Sequence, residues 1–396
     1  MPNLSQPIIA CFAHERGDAR VMKRVSALQA QGWSVRGYMF HRIRNREDVP
    51  PFWDNVELGV TENRRYVRRI FSLLGSLFIL WKQRKRLAEV QAWYAVNTDN
   101  AFLALAGRWL AVRSGGRVGP LVLELADLQA VMLGSGLISK VLRAMERQVL
   151  GRAALLVTTS PGFVREYFVP LQQFKGTVFL LENRVYPSTG IVLPAQTGEN
   201  TIKPLPQRGG RPWVIGLFGA LRCPRSLSLM RAMAARFPDR VHFYLRGYPS
   251  GIDPAVTASL LRSLPNLEWA GAYQYPDDLA AIYRQIDLNW TMDYSDPSGN
   301  SPLLLPNRIY EGGLFGCPAL ADAASETGRW ISQHGLGWTF PEPLEETIAE
   351  FLENLTDAAW QEKKAACAQL PRSVTCGEDD YAELSAAIRK LAGCCK

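Results

Sequence analysis

The feature that most constrains the fold is an alternation of short apolar runs and helical segments that occurs twice along the chain. Residues 7–13 form an apolar run typical of a buried parallel strand. Residues 18–31 show helical spacing of Val21, Val25 and Leu28 and stop at Gly32, and residues 34–40 predict a second strand. This succession indicates a βαβ unit. A similar alternation restarts at Trp213.

The two halves of the chain predict two domains. Predicted strands cover residues 92–96, 121–125, 154–158 and 178–181, then 213–218, 241–246, 267–269, 288–290 and 319–321. Predicted helices cover residues 100–112 and 137–150, then 225–236, 254–263, 276–285, 307–315 and 344–355. We expect an α/β fold with two doubly wound, Rossmann-like domains facing a cleft.

A stretch rich in Pro, Gly, Thr, Gln and Asn separates the two halves and shows no hydrophobic period. The expected organisation is an N-terminal Rossmann-like domain over residues 1–190, a linker over 191–210 and a C-terminal Rossmann-like domain over 211–377. A final helix within 378–396 is expected to pack back on the first domain.

The charge and the cysteines limit the partners and the compartment. A net charge of +8 suggests an anionic partner, for which phosphorylated metabolites, nucleic acid and acidic membranes all qualify. The seven cysteines contain no CxxC pair, so we expect neither a disulfide framework nor a metal site. The start of the chain lacks a signal-peptide pattern, which predicts a cytoplasmic protein.

An apolar run over residues 70–81 is too short to span a bilayer. It has basic flanks: Arg64, Arg65, Arg68, Arg69, Lys82, Arg84, Lys85 and Arg86. One interpretation is a half-buried helix with solvated ends. The other, slightly favoured, is a helix lying on an anionic membrane surface, which would make the protein peripheral on the inner face of the cell membrane. The basic residues do not interleave with stacking aromatics, so nucleic acid is not an expected partner.

The second half contains a possible anion-binding turn. Neither GxGxxG after the first strand nor a Walker A loop is present, which disfavours NAD enzymes and P-loop kinases. Instead, Gly219 ends the predicted strand 213–218, and Arg222 and Arg225 lie where the next helix begins. Glycine allows close approach of a phosphate, and a helix N-terminus favours anions. The alternative is a tight turn with two solvated arginines.

A Pro-initiated helix follows Pro306 and carries Arg308 and Glu311 one turn apart. The guanidinium can bind phosphate, and the carboxylate can accept hydrogen bonds from a ribose diol. The alternative is an exposed ion pair, which contributes little. We expect no metal, because residues 293–296 are too widely spaced for a DxD motif and suggest a loop.

These two motifs resemble the donor-binding half of GT-B glycosyltransferases, in particular the group 1, family four-like enzymes of bacterial exopolysaccharide and surface-glycan synthesis. The resemblance covers most of residues 211–345. It implies diphosphate and nucleotide contacts from a set of residues in this half: Gly219, Arg222, Arg225, Arg246, Gly247, Asn307, Arg308 and Tyr310. It implies that Glu311 holds the ribose. Members of the family often carry a second glutamate eight residues earlier, where this chain has Leu303.

The first half carries the expected acceptor site. In membrane-associated GT-B glucuronosyltransferases of exopolysaccharide pathways an aspartate after the equivalent strand is the base, and this resemblance assigns the role to Asp127. Glu15 is the alternative base, and helix N-capping is the alternative role for Asp127. The expected acceptor-binding residues are His14, Asp18 and Arg20.

The expected reaction moves a hexose from a nucleotide-diphosphate sugar, a UDP-sugar being favoured, to a hydroxyl of a glycan. The acceptor is expected to be a glycan or a polyprenyl-diphosphate-linked oligosaccharide, and no cofactor is expected. Two alternatives are a GT-B nucleotide-sugar epimerase and a degenerate GT-B scaffold without catalysis. An epimerase would consume donor without an acceptor.

Overall fold

A computed structural model describes residues 6–42, 50–61, 75–186, 209–251 and 264–393, together with residues 253, 259 and 261. The chain divides into two compact units. The first unit comprises Met1–Leu181 and Asp379–Lys396, and the second comprises Glu182–Glu378. Most of the predicted linker and the four arginines that precede residue 70 lie outside the described residues, as does most of the predicted helix 254–263.

The first unit contains a seven-stranded parallel sheet in the order β3-β2-β1-β4-β5-β6-β7. The strands are β1 Ile8–Ala13, β2 Ser34–Arg42, β3 Asp54–Thr61, β4 Ala92–Val96, β5 Leu121–Glu124, β6 Leu155–Thr158 and β7 Val178–Leu180. The helices are α1 Ala19–Ala30, α2 over residues 75–82, α3 Arg84–Leu87, α4 Thr98–Arg113, α5 Ala130–Leu133, α6 Leu137–Leu150 and α7 Pro161–Phe163, which runs into a π-helical turn at Val164–Phe168.

The second unit contains a six-stranded parallel sheet in the order β10-β9-β8-β11-β12-β13. Its strands are β8 Trp213–Phe218, β9 Val241–Arg246, β10 Leu267–Trp269, β11 Leu288–Trp290, β12 Ala319–Asp322 and β13 Gly337–Phe340. Its helices are α8 Pro224–Arg236, α9 Leu279–Tyr283, α10 Asn307–Leu314, α11 Glu326–His334, α12 Leu344–Asn354, α13 Asp357–Ala368 and α14 Arg372–Thr375. The expected α/β class with two Rossmann-like sheets is confirmed.

The last helix, α15 Asp380–Leu391, belongs to the first unit and packs on α1. The Trp33 indole donates to Ser385 Oγ over 2.9 Å, and the Arg389 guanidinium lies 4.9 Å from the centre of the Trp33 ring. Arg389 also donates to the carbonyl of Gln31. These contacts cover the end of α1 and the start of β2.

Several elements of the structure are absent from the sequence-based prediction, among them β3, β13, α11 and α13. The β3 sequence DNVELGVT is polar and lies at a sheet edge, so it lacks the apolar run that marks a central strand. Helix α11 contains Gly328, where a Cβ would lie 2.0 Å from the Asp322 carbonyl oxygen. Tertiary packing therefore requires a residue that weakens the local helical signal.

Both sheets share the strand order 3-2-1-4-5-6 over their first six strands. In each sheet the order of the strands therefore reverses between the first and the fourth strand, although all strands are parallel. Doubly wound sheets bind ligands outside the carboxyl ends of the strands at this reversal. The relevant edges are the ends of β1 and β4 in the first unit and of β8 and β11 in the second.

Candidate functional site

In the second unit, two glycines shape the edge where β8 and β9 end. Gly219 follows β8 with φ +118°, and Gly247 follows β9 with φ +141°. A Cβ on Gly247 would lie 1.7 Å from the Gly219 carbonyl oxygen. This close approach and both backbone angles require glycine. The chain then turns into α8, whose N-cap is Cys223 and whose first residue is Pro224.

Two arginines meet one carboxylate beside this turn. Arg222 Nη2 lies 3.2 Å from Asp293 Oδ2, and Arg308 Nη2 lies 3.8 Å from the same oxygen. Arg222 follows β8, Asp293 follows β11 and Arg308 lies in the first turn of α10. Three segments thus meet where the strand order reverses. The structure brings Arg222 together with Arg308, whereas the sequence suggested Arg222 with Arg225 and Arg308 with Glu311.

Asp293 is buried, and its other oxygen is held by its own loop. Oδ1 accepts hydrogen bonds from the Ser295 amide at 2.8 Å, from the Ser295 hydroxyl and from the Ser301 hydroxyl at 3.3 Å. Burial alone would raise the pKa of Asp293, but Arg308, the two bonds from Ser295 and Arg222 outweigh it and hold that pKa at about 2. Asp293 is therefore a permanent negative charge.

A narrow groove opens beside this cluster. Arg222, Asp293, Arg308, Ala220 and Ser226 line it, at the N-terminal end of α8. The Arg308 Nε–H group is buried in the groove wall and has no hydrogen-bond partner within the described residues. A buried donor without an acceptor costs free energy, so this N–H group is available to an acceptor on a ligand or a water molecule.

Arg225 lies in a different environment from Arg222. Its guanidinium pairs with Glu342 and lies 4.5 Å from the centre of the Tyr294 ring. The Tyr294 hydroxyl in turn donates to Asp322 over 3.1 Å. The structure therefore joins Arg225 to the ends of β12 and β13, and the described contacts do not bring it to Asp293.

The remaining predicted nucleotide residues differ in exposure. Arg246 donates to the carbonyls of Gly271 and Ala272, so it holds the loop after β10. Glu311 is buried and accepts from the Tyr283 hydroxyl over 3.1 Å. Tyr310 is fully buried and donates to Glu182, whereas Asn307 is exposed at the start of α10.

In the first unit, Asp127 and Arg20 form an ion pair of 2.9 Å at the edge of the sheet, and both are partly exposed. Asp18 is the N-cap of α1 and accepts from the amides of Arg20 and Val21. The N-cap of the helix after Asp127 is Gln129, so Asp127 does not occupy the predicted capping position. His14 lies 4.0 Å from Asp18, and Glu15 is buried.

A buried network lies beneath this edge. Arg24 pairs with Glu124 at 3.0 Å, and Glu124 also accepts from the Tyr94 hydroxyl. Arg24 further donates to Tyr381 of α15. Burial would raise the pKa of Glu124, but Arg24, Arg20 and Tyr94 outweigh it and lower that pKa. Glu124 is the last residue of β5, and its position at the end of a buried strand is the signal that could have identified it.

The surface of the first unit is unusually apolar. Of the twenty large apolar side chains that are exposed within the described residues, eighteen belong to this unit. On α6 they form one stripe: Leu137, Ile138, Val141 and Met145. A basic side chain lies over each of three other exposed aromatic rings: Lys82 over Phe78, Arg84 over Trp81 and Arg113 over Trp109.

Two searches of the described residues were negative. No group of three or more His, Cys, Asp or Glu side chains is placed to hold a metal ion. None of the described helices has the length and apolar content needed to cross a membrane.

Comparison with known proteins supplies one relative in sequence. The chain is 34% identical over 348 residues to the succinoglycan biosynthesis protein ExoL of Rhizobium meliloti (strain 1021), covering 88% of this chain and 84% of that protein. No family model matches the chain.

Solved structures resemble the chain over nearly its full length. Sucrose-phosphate synthase from Thermosynechococcus elongatus gives a TM-score of 0.66 at 14% identity, covering 98% of this chain and 100% of that one. WaaG, a glycosyltransferase involved in lipopolysaccharide biosynthesis, gives 0.61 at 14% identity, covering 96% and 99%. Anabaena HepE in complex with UDP and glucose gives 0.62 at 14% identity, covering 98% and 99%. At these identities the likeness establishes the fold.

Proposed function

Since this chain belongs to the family of the succinoglycan biosynthesis protein ExoL and has the GT-B glycosyltransferase fold, we propose that it is a glycosyltransferase of exopolysaccharide synthesis. It transfers a hexose from a nucleotide-diphosphate sugar to a hydroxyl of a glycan acceptor. The observation that carries this proposal is the convergence of Arg222 and Arg308 on one groove, with the Arg308 Nε–H group lacking an acceptor within the described residues.

The charges beside the groove suit a diphosphate. Two guanidinium groups supply several N–H donors in fixed forks, and the N-terminus of α8 adds a partial positive charge. In this proposal the departing diphosphate is stabilised by these groups rather than by a bound metal. We favour a UDP-sugar as donor because HepE, a structural neighbour, was crystallised with UDP and with UDP-glucose.

The acceptor is assigned to the first unit. We place the base at Asp127, where the carboxylate is partly exposed and Arg20 fixes its direction. Deprotonation of the acceptor hydroxyl by this carboxylate makes the oxygen a better nucleophile toward the sugar carbon. Glu15 is buried in the loop after β1 and is the alternative base.

The apolar surface of the first unit supports a lipid-linked acceptor and a peripheral position on the inner face of the cell membrane. Helix α6 exposes four apolar side chains, and its single acidic residue, Glu146, is buried against Tyr167 and Thr98. The outward side of α6 is thus apolar with cations such as Lys140. Helices of this kind lie at anionic lipid surfaces.

One assay tests the function as a whole. Purified protein is titrated by calorimetry with UDP-, GDP-, dTDP- and ADP-sugars, and the binding donor is then incubated with lipid-linked glycan. We expect saturable binding of one nucleotide class and transfer of hexose to the glycan. Donor consumption without acceptor would favour the epimerase, and binding without turnover would favour a scaffold. Absence of binding to every donor would refute the proposal.

A further inference from the structure

The two carboxylate oxygens of Asp293 have different partners. Oδ1 is occupied by the loop itself, through the amide and hydroxyl of Ser295 and the hydroxyl of Ser301. Within the part of the chain that the structure describes, Oδ2 pairs only with the guanidinium groups of Arg222 and Arg308. The loop therefore fixes the carboxylate in place and presents one oxygen to the two cations that line the groove.

Each arginine depends on this oxygen in a different way. Arg222 is half-exposed, and a long side chain at that exposure has many competing rotamers. Arg308 is mostly buried, where an unpaired charge is costly. Without a ligand, two cations that share one site repel each other. The carboxylate offsets this repulsion and restricts where both side chains lie.

We propose that Asp293 is a positioning residue that serves as a resident counter-ion: it holds Arg222 and Arg308 toward the groove and limits the affinity of the site for the free nucleoside diphosphate. This inference rests on the proposed function, because it takes the diphosphate to bind at these two arginines. It assigns a role to a residue in the segment 293–296, which the sequence presents as an ordinary loop.

The physical reason is repulsion between like charges. A diphosphate that binds the same two guanidinium groups brings its oxygens close to Asp293 Oδ2. Cleavage of the bond to the sugar leaves the diphosphate with one more negative charge than the donor carried. The repulsion by Asp293 is therefore larger for the released product than for the donor, which favours product departure. Since the pKa of Asp293 is about 2, this charge does not vary at working pH.

The test is binding of inorganic pyrophosphate, UDP and UDP-glucose to the parent and to Asp293→Asn, measured by calorimetry. The asparagine keeps an acceptor for Ser295 and Ser301 but removes the charge. We expect pyrophosphate and UDP to bind Asp293→Asn about tenfold more tightly than the parent, with a smaller gain for UDP-glucose. Damage to the fold would weaken binding, so tighter binding separates this role from a merely structural one.

The matched control is Asp296→Asn, in the same loop. It removes the same charge, but Asp296 accepts from the amide of Asn300 and has no arginine partner among the described residues. Its pyrophosphate affinity should stay within about twofold of the parent. Equal or weaker pyrophosphate binding by Asp293→Asn would overturn the inference, as would an equal gain in both variants.

Two further outcomes are also decisive. If Asp293→Asn is unstable without ligand, pyrophosphate should raise its melting temperature more than it raises that of the parent; a smaller rise overturns the inference. If the parent binds neither pyrophosphate nor any nucleoside diphosphate, the proposed function itself fails. A parent that binds and a variant that binds no better contradict the inference alone.

Discussion

The two units share a strand order but differ in what they expose. Among the described residues, the first unit exposes eighteen large apolar side chains and the second exposes two, Tyr248 and Tyr275. The second unit instead presents paired charges at its sheet reversal. The same topology therefore fixes where a site can lie, and the side chains at that edge and on the helices decide the polarity and charge of the surface there.

The contrast extends to the carboxylate near each sheet reversal. Glu124 in the first unit is fully enclosed by Arg24, Tyr94 and their neighbours, so its charge serves the core. Asp293 in the second unit is also buried, but one of its arginines reaches solvent and its neighbours line a groove. Burial of a charged pair is therefore not enough to identify a site. An adjoining groove is the distinguishing feature.

The largest effect should come from a variant that removes the proposed base in the first unit and leaves the donor site in the second unit intact. Asp127→Asn is expected to lower kcat about 10²–10⁴-fold, because a base acts in the transition state, with donor affinity nearly unchanged. The control Arg20→Gln breaks the same ion pair but keeps the carboxylate, and should retain much more activity. Near-normal turnover of Asp127→Asn would transfer the role of base to Glu15.

The second effect compares the two buried carboxylates by stability. Glu124→Gln leaves the Arg24 charge without its main partner. We expect it to lower the free energy of unfolding, measured with urea, by about 3–5 kcal/mol. The folded-state pKa of Glu124 is lowered, so its contribution is present at neutral pH and declines as pH falls through that lower value. Parent and variant should therefore converge in acid. A parent-like midpoint at pH 7 would mean that the pair does not stabilise the core.

The third effect tests which arginines of the second unit hold the nucleotide. Arg308→Ala removes a charge-assisted contact and should weaken nucleoside diphosphate binding about tenfold or more. Arg225→Ala removes an arginine that is already paired with Glu342, so calorimetry should show a smaller loss. Glu311 does not line the groove, so Glu311→Gln tests the predicted ribose contact: weaker binding of UDP but not of pyrophosphate, which has no ribose, would support it. Parent-like binding by all three variants would remove the groove as the donor site.

The smallest effect per side chain concerns the surface of the first unit. Replacing Lys82, Arg84 and Lys140 with glutamine should weaken the free energy of binding to anionic liposomes by about 1 kcal/mol per charge. The binding is measured by flotation, and high salt should detach the parent. The matched control is Arg236→Gln, an exposed arginine of the second unit that pairs with Glu353. If the control detaches as readily as the triple variant, net charge rather than this surface explains the binding.

Much of the fold could be predicted because central parallel strands are continuous apolar runs. The strands at Ala92–Val96, Trp213–Phe218 and Val241–Arg246 have their predicted bounds. Edge strand β3 is polar and lacks that signal. The contacts of the candidate site are harder to predict, because the residues that pair there are distant in sequence. Arg225 and Glu342 are joined only by tertiary packing, as are Arg222 and Asp293.

Spacing along α10 shows the same limit. Arg308 and Glu311 lie one turn apart and were expected to face one ligand. In the structure Arg308 lines the groove, whereas Glu311 is enclosed beside the Tyr283 hydroxyl. Helical spacing predicts which residues share a face, but which neighbour packs against each part of that face is decided by other elements.

Helix α15 has a consequence for the order in which the protein is made. It completes the first unit, yet the ribosome synthesises it after the entire second unit. At typical translation rates those roughly 200 residues take about 10–40 s. During that interval the nascent first unit lacks Tyr381 beside Arg24 and Ser385 beside Trp33. Its assembly therefore ends only after α15 has left the ribosome, and truncation before Asp380 would leave that surface uncovered.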